Sequence, residues 1–96
     1  MKYTFHPHAE KELNDTENYY NDIREALGER FLEEIEITIS RIRKFPKACQ
    51  PVSRIHRRCR LSGFPYGIVY RLKPNEIRVL AVMHLHREQN YWMYRS

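Results

Sequence analysis

The hydrophobic positions change period half-way along the chain. Ala9, Leu13, Thr16, Tyr20, Ile23 and Leu27 recur at steps of four and three, the spacing of one buried helical face. Ahead of them "KYTF" predicts a short strand. Pro7 falls at the first helical position, where its missing N–H removes no bond. Gly28 predicts the end of this helix as a left-handed cap. A second stripe, Phe31 or Leu32, Ile35, Ile39, Ile42 and Phe45, continues until Pro46 stops it. The first half therefore reads as a helical hairpin, with acids such as Glu10, Glu12, Glu17, Glu33, Glu34 and Glu36 on its solvated backs.

Beyond the turn-rich "KACQPVS" the period becomes two. In "RIHRRCRL", Arg54, His56, Arg58 and Arg60 alternate with Ile55, Arg57, Cys59 and Leu61. After the turn "SGFP", "YGIVYRLK" places Tyr66, Ile68, Tyr70 and Leu72 on one face, with Val69, Arg71 and Lys73 on the other. Pro74 and Asn75 predict a tight hairpin. "EIRVLAVMHLHR" then puts Ile77, Val79, Ala81, Met83 and Leu85 on one face, and Arg78, Leu80, Val82, His84 and His86 on the other. The tail "EQNYWMYRS" fits a helical turn and an irregular end equally well. These stripes predict an α+β fold in a single domain over residues 1–96: an N-terminal helical hairpin packed on one face of a three- to four-stranded, mainly antiparallel sheet. The opposite face would gather Arg54, His56, Arg58, Arg60, Arg71, Lys73, Arg78, His84 and His86 as a basic tray.

Charge sharpens this picture. The formal net charge is +5, but residues 1–40 hold 4 Lys and Arg against 10 Asp and Glu, while residues 41–96 hold 13 against 2. The basic potential belongs to the sheet half, which points to an anionic partner, nucleic acid or an acidic protein segment, with an ordinary solvated basic surface as the alternative. No apolar run approaches the roughly 20 residues of a membrane span, and the N-terminus has no apolar signal core. A cytoplasmic protein with no membrane association is expected. Cys49 and Cys59 show neither CxxC spacing nor the density of a secreted scaffold, which favours free thiols; a disulfide between them is the alternative.

Two chemical readings are weak. His84 and His86 would point the same way from one strand with His56 near by, but several arginines repel a cation there and no carboxylate is close in sequence, so no metal and no cofactor are expected. The Tyr19-Tyr20 and Tyr66-Tyr70 pairs invite base stacking, yet their spacing is more simply that of core and rim.

The ordered set of motifs resembles the RelE/ParE superfamily of toxins from bacterial type II toxin-antitoxin modules. It comprises Ala9 and Leu13 before Tyr19-Tyr20, "ALGERFLEEI", the stop at Pro46, "RRCRL", "FPYGIVY", and "VLAVMHLHREQNYW" with Arg95 after it. In the last motif His84, Arg87, Tyr91 and Trp92 fit the ParE-like pattern, while Gln89 replaces a proline. The resemblance implies two helices on an antiparallel sheet. It also implies a cognate ParD-like antitoxin whose acidic C-terminal segment wraps the toxin in a hetero-oligomer. Val69, Leu80 and Val82, if exposed among cations, would suit such an amphipathic segment.

RelE-like members cut mRNA on the ribosome, whereas ParE-like members inhibit DNA gyrase. A ribonuclease needs a base for the 2'-hydroxyl, cations for the phosphate and an acid for the leaving oxygen; the resemblance offers Arg58, Arg60, His86, Arg87 and Tyr91. Gly67, however, stands about where a RelE-type arginine is expected, which brings the chain closer to the ParE-like branch. There, Arg54, Arg58, Arg60, Val69, Arg71, Arg78, Leu80, Val82, His84, Arg87 and Trp92 would bind target or antitoxin. Trp92 is expected over Leu80 and Val82, and Arg87 on an antitoxin carboxylate or a backbone carbonyl. A non-catalytic nucleic-acid-binding domain is the remaining alternative.

Overall fold

Pro7 ends the first strand and opens the first helix. The computed structural model describes residues 1–96, with β1 at Lys2–Phe5 and α1 at Pro7–Ile23. The His6 ring caps α1 by accepting the His8 N–H at 3.1 Å. The helix breaks at Arg24, which is extended (φ −166°, ψ 130°) and donates its N–H to the Tyr20 carbonyl. α2 starts at once and runs Glu25–Lys44. Gly28 is therefore no cap. It lies buried inside α2, where a Cβ would collide with the Asn21 side chain. A glycine there lets the two helices approach, at a propensity cost of about 1 kcal/mol. The break also turns Ile23 out of its stripe, leaving it 59% exposed. Phe31, Ile35, Thr38, Ile39 and Ile42 form the buried face of α2.

The sheet has five strands, one or two more than the alternation predicts, in the order β1-β5-β4-β3-β2. β2 is the two-residue Gln50–Pro51 at one edge, followed by β3 (His56–Arg60), β4 (Tyr66–Lys73) and β5 (Glu76–His84). β1 closes the other edge, parallel to β5; the remaining pairs are antiparallel. A proline at the edge removes no ladder bond that a neighbour needs.

The regular alternation fails in β5. Val69 lies opposite Ala81 but Tyr70 lies opposite Val79, so Leu80 is an extra residue, a β-bulge. The bulge inverts every later side chain. Ile77 and Val79 face the helices with Ile68 and Tyr70, and beyond the bulge it is Val82 that joins them. Ala81 and Met83, expected in the main core, instead meet Val69 in a second cluster completed by Trp92. His84 likewise leaves the basic face and packs its ring at 5.0 Å from Tyr66, which touches Tyr20 and Phe31.

Cys49 and Cys59 are joined, with Cα atoms 5.2 Å apart. The β2–β3 register explains the encounter: Gln50 lies opposite Arg58, and one step further outward brings residue 49 to residue 59. The Arg41 guanidinium caps this corner, 3.3 Å from Cys59 Sγ and 3.2 Å from the Arg60 carbonyl. No helix is long and apolar enough to cross a membrane.

Candidate functional site

After β5 the chain folds back over the outer face of the sheet through successive turns. Leu85 N–H bonds to the Pro65 carbonyl, Arg87 N–H to His84, Met93 N–H to Asn90 and Arg95 N–H to Trp92, all within 3.0 Å. Asn90 takes the left-handed conformation (φ 71°) that reverses the tail, a role asparagine tolerates better than most residues. Trp92 is thereby driven onto Val69, Ala81 and Met83 and is 1% exposed. The edge of its indole meets the His56 ring at 4.8 Å. The Ser53 hydroxyl accepts the N–H groups of Ile55 and His56, so its own proton is directed at His56 Nδ1, 2.7 Å away. Burial, with Arg71 as a second cause, lowers the His56 pKa, so this ring is neutral beneath the tail.

The tail is fastened at the edge of β5. β1 pairs only as far as Phe5 opposite Val79, and the His6 N–H takes the Val79 carbonyl. Beyond that point β5 has no strand on its β1 side, though β4 still pairs with its other edge. Side chains complete the ladder: Leu80 C=O accepts from Arg95 Nη1 at 2.9 Å, and Val82 N–H donates to Glu12 Oε1 at 3.0 Å. Arg95 also grips Glu12 with both terminal nitrogens, at 3.0 and 3.2 Å, a bidentate charge-assisted pair. Burial is the largest single influence and works against the Arg95 charge, but the bonds to Glu12 and Tyr94 together with the Coulombic attraction of Glu12 and Tyr91 outweigh it and raise its pKa.

Arg87 extends the cluster. Its Nη1 lies 3.6 Å from Glu12 Oε2, and its guanidinium stacks 3.6 Å from the centre of the Tyr91 ring. Arg95 stands 5.0 Å from the same ring. The Tyr91 hydroxyl is buried without a bonded partner. Burial first, and the nearby Glu12 carboxylate second, push its pKa far above that of an ordinary phenol. One acid from α1, two arginines and a neutral phenol thus form a single cluster, buried at Arg95 and open to solvent at Arg87.

The family model for the ParE toxin of the type II toxin-antitoxin system parDE matches residues 3–91, from β1 into this cluster. The chain belongs to the ParE toxin family. Among solved structures, one described as the chromosomal ParDE TA system from P. aeruginosa shares the toxin's fold. The likeness has a TM-score of 0.63 at 16% identity, over 88% of this chain and 95% of that one. No curated protein sequence matches the toxin. The family match ends at Tyr91, so Trp92 and Arg95, which close the tail onto the sheet, lie beyond it.

The residues expected to form the toxin's basic tray are dispersed. Val69, Leu80 and Val82 are fully or almost fully buried, so none is the exposed apolar surface the alternation suggests. The bulge turns Val82 to the helices, and the tail covers Val69. Trp92 accordingly covers Val69, Ala81 and Met83, and not Leu80 and Val82. Arg78 is committed to the Thr4 hydroxyl and the Phe5 and Ser96 carbonyls. Arg58 lays its stem across Gly67, where a Cβ would lie 3.1 Å from Arg58 Cγ, and bonds the Gln89 side chain at 3.2 Å. That contact gives Gln89, the departure from the proline pattern, a role as a tail anchor. Arg54, Arg60 and His86 are exposed, and Arg71 is half-buried opposite Arg78. His56 and His84 lie on opposite faces of the sheet and do not converge on a metal.

Sequence reasoning missed the partner of Arg87. It placed Glu12 on the solvated back of α1 and set Arg95 only as a trailing residue. The one available signal was an acid directly beside Leu13, at the margin of the buried stripe.

Proposed function

We propose that this toxin inhibits DNA gyrase by binding, without catalysis of its own, and that a ParD-like antitoxin neutralises it in a cytoplasmic hetero-oligomer. The observation that carries the reading is the Glu12 cluster. It ties up two of the residues a ribonuclease would need: Arg87 lies on the Tyr91 ring and beside Glu12, its side chain still half exposed, and the Tyr91 hydroxyl is buried. A phenol whose pKa is raised by burial and a carboxylate does not take a proton from a 2'-hydroxyl. The position of the expected RelE-type arginine is Gly67, and the Arg58 stem occupies the space above it. His86 is left alone on an exposed turn. Arg54 and Arg60, both exposed, and the half-exposed edge of Arg87 remain for the target.

The tail leaves the outer sheet face little room for an antitoxin, but α2 carries an open groove. Ile37 and Phe45 are 54% and 62% exposed there, next to Arg41 and Lys44, while Glu33 and Glu36 line the N-terminal side of the same groove and would confine an acidic partner's carboxylates to its C-terminal side. An amphipathic acidic segment would set apolar side chains on the first pair and carboxylates on the second. Expression of the toxin without antitoxin tests the target, with plasmid supercoiling and transcript integrity read from the same cells. Loss of negative supercoiling with intact transcripts is expected. Codon-phased transcript cuts with normal supercoiling would replace this reading with the ribosomal one, and neither effect would leave a nucleic-acid-binding domain.

A further inference from the structure

A recess of about 290 Å3 opens at the end of the sheet, where the connector leaves α2. Lys47, Arg54, Arg57 and Arg71 line it, and no acid does. Neither Arg54, Arg71 nor the Lys47 ammonium makes a hydrogen bond or ion pair within the chain; the ion pairs all involve Glu12 or Asp15. Four cations therefore border one recess at the strand ends, Arg57 from the helix side of the sheet and Arg71 from the other, with no acid among them, an arrangement that concentrates positive potential. Arg57 is already placed: its Nη1 donates to the Lys47 and Cys49 carbonyls at 2.8 and 2.7 Å, which leaves Nε and Nη2 free. A guanidinium held on one side by main chain is a preorganised fork for an oxyanion. Beneath it the Tyr70 hydroxyl is fixed on the Pro46 carbonyl at 2.6 Å, so the floor is rigid. Ile55 and Leu72 supply the apolar part of the wall.

We propose that this recess binds the oligophosphate group of a small molecule. A single carboxylate would leave most of the charge unmatched, whereas a di- or triphosphate carries several charges along an extended chain that can follow the cationic lining from one side to the other. Its volume is at the lower end of small-ligand cavities, roughly 300 Å3, and a peptide helix about 10 Å across does not enter it. A phosphate chain lies on the cations, and any attached organic group rests on Ile55 and Leu72.

Titration calorimetry at near-physiological salt, with the free toxin and with inorganic pyrophosphate and ADP as separate probes, tests the site. Saturable one-to-one binding is expected, weakened about tenfold or more by Arg54→Ala and by Arg71→Ala. Neither side chain makes a hydrogen bond or ion pair within the fold, so unchanged melting of both variants shows that the loss is local. ADP binding tighter than pyrophosphate identifies a nucleotide-type ligand, and equal binding identifies the phosphates alone; both support the site. Absence of saturable binding, binding indifferent to both substitutions, or capture of an acidic peptide or oligonucleotide but not pyrophosphate would each overturn it.

Discussion

Replacing Glu12 with Gln removes the charge that Arg95 and Arg87 share while keeping the shape of the side chain. Arg95 is the buried partner, its side chain 6% exposed against 16% for Glu12. Leaving one member of a buried ion pair uncompensated costs about 3–5 kcal/mol. A glutamine still offers one oxygen to Val82 N–H and to one Arg95 nitrogen, so the expected cost sits at the lower end, about 3 kcal/mol. That is a large share of the roughly 5–14 kcal/mol that a chain of this length possesses. Urea denaturation followed by far-UV circular dichroism at neutral pH measures it, with Glu36→Gln on the exposed side of α2 as a control expected within about 0.5 kcal/mol. Because the pair is shielded, the cost should persist at about 0.5 M salt, where a surface pair would be screened. Arg95→Met in the Glu12→Gln background should add less than it costs alone, since the lone buried charge is then gone. A cost for Glu12→Gln no larger than that of the control, or one that disappears in salt, would refute the buried lock.

Trp92→Ala should destabilise the fold by about 3–5 kcal/mol in the same assay, and hydrogen exchange should show the tail opening; unchanged stability would mean that the indole does not hold it. The neutral, buried His56 binds a proton more weakly folded than unfolded, so stability is full above its unfolded pKa of about 6.5 and falls as pH drops through that value toward the lower folded one. His56→Asn should flatten this acid-side slope in melts recorded across that range. Ile37→Asp and Phe45→Asp, both exposed, should leave melting unchanged and weaken antitoxin binding at least about tenfold, measured by surface plasmon resonance; unaltered binding would move the antitoxin off α2.

Much of the fold was legible because helical and strand periods differ and Pro7, Pro46 and the Pro74-Asn75 turn mark the boundaries. The bulge at Leu80 was not. "VLAVM" is apolar at every position, so either phase of alternation satisfies the sequence, and only the pairing with β4 selects one. The Gly28 cap failed for a related reason: the break falls at Arg24, whose extended conformation has no compositional mark, while the glycine answers to Asn21 on the preceding helix. The tail motif showed which residue types gather near the C-terminus but not what they do. Its decisive contact joins Glu12 to Arg95, 83 positions apart, and such a pairing leaves no local pattern. The disulfide was readable only once β2, a strand of two residues, fixed the register.

If this toxin acts on gyrase by binding, and its Arg87–Tyr91 corner serves the fold, no side chain outside that corner should be needed for chemistry. Supercoiling of relaxed plasmid by purified gyrase, titrated with the toxin and with its His86→Ala variant, decides between binding and catalysis. Both proteins should inhibit to the same extent, and an equimolar antitoxin should restore the supercoiled product. Full supercoiling at toxin in excess over gyrase, with mRNA cleaved on ribosomes by the wild type and spared by His86→Ala, would make the toxin a ribonuclease instead.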